Sequence, residues 1–130
     1  MAKISAVKLD MDKVEKGVWH NYEGIKLCIA SMNNKDYKKA RNKLLEPHLR
    51  QLRAKAMTSD EIFEILRPAA ARHLLIGWQS IEDEAGKEIP YSYEKSLEFF
   101  TDPALSDLYS FVLDTAGGNS AYRQELLEDA

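Results

Sequence analysis

The side chains that could do chemistry in this chain are few, and their spacing excludes most of it. His20, His48, His73 and the single cysteine, Cys28, are the nitrogen and sulfur donors. None stands in a CxxC or HxxxH pair, the spacings that bring two ligands to one tetrahedral metal. Four carboxylates, Glu82, Asp83, Glu84 and Glu88, surround Gly86 in the stretch EDEAGKE. An EF-hand loop needs oxygen ligands leading up to its central glycine and a Glu six residues after it. Here Ala85 precedes Gly86 and Ser92 holds the later position. There is no GxSxG elbow, no GxxxxGK[ST] loop and no GxGxxG turn. Gly117-Gly118 follows a helical pattern, where a helix stop accounts for it. Carboxylates on a flexible loop are poorly placed to be tuned into an acid and a base. The residues therefore point to no catalytic group, no cofactor and no metal, and the chain is not expected to be an enzyme. A hydrolase assembled from scattered Ser, His and Asp is a remote third reading.

Charge is the stronger signal. The 130 residues are 45% apolar and 30% charged, with a net charge of −3. That is ordinary globular composition, long enough for one domain with its own core. The charge is uneven. Lys35 to Lys55 holds eight basic residues against Asp36 and Glu46, whereas Glu82 to Ala130 holds twelve acids against Lys87, Lys95 and Arg123. Such separation steers association with a partner, or is satisfied by one half packing on the other. The basic stretch also suits phosphate contacts, but the sequence pI is about 5.6 and the aromatics lie mostly elsewhere.

With one cysteine the chain can form no internal disulfide, which fits a reducing compartment. The N-terminal MAKISAVKLDMDK has no apolar core of a signal peptide. The longest apolar run, Ala69 to Trp78, is interrupted by Arg72 and His73 and is far short of the about 20 residues a membrane span needs.

The elements that must carry these residues follow from periodicity. Val18 to Tyr22 and Ile25 to Ala30 flank Glu23-Gly24, a hairpin signature. Ile25, Leu27 and Ile29 share one face, so Cys28 falls either with the core or with Lys26. After Asn33-Asn34 the period becomes helical: Tyr37, Ala40, Leu44 and Leu45, then Leu49, Leu52 and Ala56. Pro47 should kink the helix or restart it near Glu46. Thr58-Ser59-Asp60-Glu61 is an N-cap cluster, followed by a stripe of Ile62, Phe63, Leu66, Ala70 and Leu74, with a bend or restart expected at Pro68. AAARHLLIGW is apolar on most sides and reads as the most buried helix. Ile89-Pro90 is extended. Ser92 caps a helix through Phe100. Asp102-Pro103 opens another with Leu105, Leu108, Tyr109, Val112 and Ala116, and Asn119 or Ser120 starts a last short one with Tyr122 and Leu126. Trp19 and Trp78 read as core residues. The expected fold is mainly α (α+β): a single domain over 1–130, with strands and a hairpin in 1–33 and a body of about five helices in 34–130.

The order of these features resembles a known group. GVWHNYEGIKLCIASMNN, DYKKARNKLLEPHLRQLR, LLIGWQSIEDEAGKEIPYS and FFTDPALSDLYSFVLDTAGGNSAYRQE, in that order, are similar to the tail assembly chaperones of long-tailed, lambda-like bacteriophages. The similarity runs over residues 16–125, with the GW, acidic turn and IPYS as its most characteristic part. It implies a binding protein that holds the tape-measure protein while tail-tube protein polymerises around it, acts in the host cytoplasm and is absent from the mature virion. It also implies a possible frameshifted longer form, which an end at Glu128-Asp129-Ala130 would suit. Membrane and nucleic acid are not among the implied partners. The family offers no residue-level binding motif. From charge alone, the expected partner-binding residues are Lys38, Lys39, Arg41, Arg50 and Arg53 on the basic stretch and Glu82, Asp83, Glu84 and Glu88 on the acidic turn, together framing an apolar groove. The alternative is a small nucleic-acid-associated regulator that uses the basic 35–55 helix.

Overall fold

The computed structural model describes Met1 and residues 3–124. Strands β1 (Val18–Tyr22) and β2 (Ile25–Ile29) pair antiparallel from Val18 opposite Ile29 to Tyr22 opposite Ile25. Glu23 and Gly24 both take positive φ, +50° and +83°, as a two-residue hairpin of the twist-matching type requires. This register puts Val18, His20 and Tyr22 on the face of Ile25, Leu27 and Ile29. Trp19 and Asn21 share the other face with Lys26 and Cys28.

A third strand, β3 (Leu75–Gln79), completes the sheet in the order β1-β2-β3, antiparallel to β2 with an irregularity between Cys28 and Ile29. It corrects the expectation of a helix over AAARHLLIGW. The helix ends at His73, and LIGWQ turns back as strand. The run is apolar on most sides because Ala69, Ala70 and Ala71 pack into the core and the strand after them is buried at Leu75 and Trp78. A uniformly apolar stretch has no period that separates the two states.

A short helix that the sequence did not announce, α1 (Met11–Lys16), is capped by Asp10, and Asn34 caps α2 (Lys35–Leu45) by accepting the Tyr37 amide at 2.8 Å. The Asn34 amide also donates to Ser31 O and His73 O, tying the end of the hairpin to the next helix. Pro47 restarts the chain as expected: a 3-10 turn over Glu46–His48 leads into α3 (Leu49–Arg53). Thr58 and Glu61 form a reciprocal capping box on α4 (Ser59–His73). Contrary to expectation, α4 continues unbroken through Pro68. Its packing against α2 on one side and the helix after β3 on the other outweighs the one missing N–H. That next helix is α5 (Tyr93–Thr101), capped by Ser92. Asp102 caps a 3-10 turn over Pro103–Leu105, and α6 (Ser106–Gly117) follows. Tyr122 lies in a closing 3-10 turn, Ser120–Tyr122, and the expected role of Leu126 falls outside the described residues.

The inner sheet face and helices α4, α5 and α6 enclose the core, with Leu27, Ile29, Leu75, Trp78, Phe100 and Val112 buried. Tyr122 is fully buried and its hydroxyl donates to Ile29 O at 3.0 Å. Its own carbonyl accepts the Asp10 amide at 2.7 Å, and Leu9 bridges to Arg123, so the closing segment is stitched to the opening one. The sheet's other face is covered at only one end. Gly17 (φ +81°) approaches so closely that a Cβ there would sit 2.8 Å from Cys28 Sγ. Cys28 is thus buried at 7% exposure although it shares the face of Lys26, and its thiol donates to Lys16 O at 3.5 Å. Trp19, expected in the core, is 51% exposed on that same face.

Candidate partner-binding surfaces

The basic and acidic sets expected from charge lie on different elements. Lys38 and Lys39 are exposed on α2, and Arg50 and Arg53 on α3. Arg41 is half-buried, its guanidinium donating to Asn42 Oδ1 at 3.1 and 3.3 Å and lying near enough to Tyr37 to oppose the burial that raises that phenol's pKa. Glu82, Asp83, Glu84 and Glu88 are all exposed on the turn after β3. Among the described residues no hydrogen bond or ion pair joins the two sets.

The acidic turn is a closed, hydrogen-bonded structure where a flexible loop was expected. Ile81 and Ile89 pair across its neck, Ile89 N donating to Ile81 O at 2.8 Å, and Glu82 bridges to Glu88. Asp83 organises the tip: its Oδ1 accepts the amides of Ala85 and Lys87, both at 2.9 Å, and Gly86 supplies the positive φ of +79°. Its carboxylate is therefore engaged in the turn itself. The aromatics at the base fix the turn to the core. Trp78 is 6% exposed, donates from Nε1 to Ile89 O at 2.8 Å, and packs edge-on against Tyr91 and tilted on Phe99. The Tyr91 hydroxyl donates to Leu75 O at 2.7 Å. GWQSIEDEAGKEIPYS is an anchored crossover from β3 to α5.

What the sequence reading missed is a set of shallow clefts, each holding an exposed apolar side chain. On the uncovered sheet face Trp19, Asn21, Lys26 and Gln79 line a depression of about 320 Å³. Beside α3, Leu49, at 42% exposure, lines another with Lys43 and Glu46. Between α4 and α6 runs a groove of about 430 Å³ lined by Phe63, Arg67, Tyr109 and Leu113, with Asp60, Glu64 and Asp114 along it. Phe63 is 40% exposed. Phe63, expected on the core stripe of α4, instead faces this groove beside Asp60, Glu64 and Arg67.

Among the described residues, burial is the first cause of every shifted pKa. Burial lowers the pKa of His20 and His73, the latter partly restored by Asp36. Burial raises the pKa of the Cys28 thiol. Tyr109 and Tyr122 are held far above the usual phenol range by burial. No group of three or more His, Cys, Asp or Glu that could hold a metal ion is present among the described residues. No helix among them is long and apolar enough to cross a membrane.

The family model described as YdaY prophage protein matches residues 32–130. That span takes in α2 to α6 and β3, while β1 and β2 precede it. No curated protein and no solved structure matches the chain.

Proposed function

The chain belongs to the YdaY prophage protein family, and from that phage origin we propose that it is a tail assembly chaperone, a non-enzymatic protein that binds the tape-measure protein in the host cytoplasm and helps to recruit tail-tube subunits. One observation carries the reading. Trp19 on β1, Leu49 on α3 and Phe63 on α4, three large exposed apolar side chains on regular elements, each line an open cleft beside charged residues. Single exposed apolar residues are ordinary; apolar residues seated in charged, open clefts are suited to protein contact. A tape-measure protein is long and helical, and before assembly its apolar helix faces need a cover of this kind. The ordered resemblance over residues 16–125 supports the same reading.

Co-expression tests it. The tape-measure protein of the same prophage, expressed with this chain, is expected to stay soluble and to co-purify with it. Recovery of the tape-measure protein only in the insoluble fraction, with no fragment bound, refutes the chaperone reading. The exposed Lys38, Lys39, Arg50 and Arg53 favour the second reading, a nucleic-acid-associated regulator. Salt-sensitive retention on duplex DNA, abolished by reversing those four charges, would put it first.

A further inference from the structure

We infer that the α4–α6 groove is the docking site for a basic, apolar-centred helical segment of a protein partner, about two turns long. The inference rests on the reading of this chain as a protein-binding chaperone and assigns the contact to one place.

The groove's shape sets the length of the occupant. Its α4 wall runs from Asp60 to Arg67 and its α6 wall from Ser106 to Asp114. At 1.5 Å per residue these walls are roughly 10–12 Å long, two turns of a helix. Both walls present residues at steps of three and four, the ridges that a third helix packs between. The floor is firm: Tyr109 stacks on Phe100 at 4.6 Å and its hydroxyl donates to Phe63 O at 2.7 Å, joining α6 to α4 beneath the groove.

Charge sets the chemistry. Asp60, Glu64 and Asp114 are exposed carboxylates along the groove, and Arg67 is the one cation of its lining. Arg67 lies half-buried, 5.9 Å from the centre of the Tyr109 ring, so three carboxylates along the groove stand against its single positive charge. Its Nε is buried without a hydrogen-bond partner among the described residues. Phe63 and Leu113 offer the apolar contact. A matching segment places a Leu or Phe against Phe63 and Leu113 and sets Lys or Arg toward Asp60, Glu64 and Asp114. An acidic amphipathic helix would meet like charge on both walls.

Fluorescence anisotropy with the full-length chain tests this, using two sets of probes. The first is a series of overlapping labelled peptides tiling the tape-measure protein of the same prophage. The second is a designed pair of amphipathic helical peptides, one of Leu and Lys and one of Leu and Glu. Three variants accompany the wild type: Phe63→Ala, which leaves the Phe63 carbonyl in place for Tyr109, and the surface reversals Glu64→Lys and Asp114→Lys. The Leu/Lys peptide should bind and the Leu/Glu peptide should not. Each variant should weaken binding about tenfold, the scale of a central contact, with circular dichroism unchanged. The two reversals should also flatten the salt dependence. Tape-measure peptides that bind with full affinity to all three variants overturn the groove and leave the chaperone reading standing. A Leu/Lys peptide bound at the groove with no tape-measure peptide bound keeps the groove and sinks the chaperone reading. Equal binding of both designed peptides, or self-association of the chain that the three variants abolish, overturns the inference.

Discussion

Trp78 is the residue on which the acidic turn depends, and its replacement gives a graded prediction. The indole is 6% exposed, lies 4.8 Å from the Tyr91 ring and 5.2 Å from the Phe99 ring, and donates one hydrogen bond to Ile89 O. Trp78→Phe keeps much of the apolar contact and removes the donor. The Ile89 carbonyl then loses its partner at a half-buried position, which costs about 1–3 kcal/mol. Trp78→Ala removes the ring as well and leaves a cavity between β3 and α5, so the loss rises to about 3–5 kcal/mol. Against a total stability of about 5–15 kcal/mol for a domain, the alanine variant is marginal. With a urea slope of about 2 kcal/mol/M, typical of small domains, the midpoint should fall by about 2 M for alanine and about 1 M for phenylalanine. Urea unfolding followed by far-UV circular dichroism measures both. Midpoints within about 0.3 M of wild type for both variants, well inside those shifts, would refute the anchoring role and make Trp78 a surface contact. A loss in the alanine variant alone would refute the hydrogen bond and leave the packing.

Other perturbations read other parts of the account. Cys28 should label slowly with a thiol reagent in the native protein and rapidly in denaturant, because burial covers the thiol and raises its pKa; rapid native labelling would mean that the α1 side of the sheet is open. Gly17→Ala should destabilise the fold by about 1–3 kcal/mol, the range for a strained backbone, since its φ is +81° and the added Cβ meets Cys28 Sγ at 2.8 Å and the Ile29 carbonyl carbon at 3.1 Å; unchanged thermal stability would contradict that close approach. Tyr37, Tyr91, Tyr109 and Tyr122 all have phenol pKa values raised by burial. Above about pH 10 the unfolded chain ionises these groups while the folded chain retains their protons, so stability should fall as pH rises past that point. Flat stability from pH 9 to 11 would contradict the burial of these hydroxyls.

The parts of the fold carried by local chemistry were legible in the sequence. The Glu23-Gly24 turn, the Thr58, Ser92 and Asp102 caps and the restart at Pro47 all stand where short-range hydrogen bonding puts them. What tertiary packing decides was not. LIGWQ is a strand because β2 offers it a pairing edge, and nothing within the five residues says so. Pro68 sits inside a continuous helix because neighbouring helices hold α4 on both sides. Trp19 faces outward because the hairpin register turns Val18, His20 and Tyr22 inward. The charged sets were visible as composition, and they stand on different elements, α2 and α3 for the basic one and the turn after β3 for the acidic one. The groove that gathers Phe63 with three carboxylates needed α6 beside α4, a juxtaposition that spans more than forty positions of chain.

The central claim, that this chain keeps a tape-measure protein from aggregating, is most directly tested by light scattering. The tape-measure protein of the same prophage is unfolded in guanidinium and diluted into buffer with increasing amounts of the chain. Scattering is expected to fall in proportion to added chain and to reach a plateau at a fixed stoichiometric ratio, with a soluble complex recovered by gel filtration. Scattering that matches the curve obtained with an unrelated helical protein of the same size and charge, with no complex recovered, would contradict it.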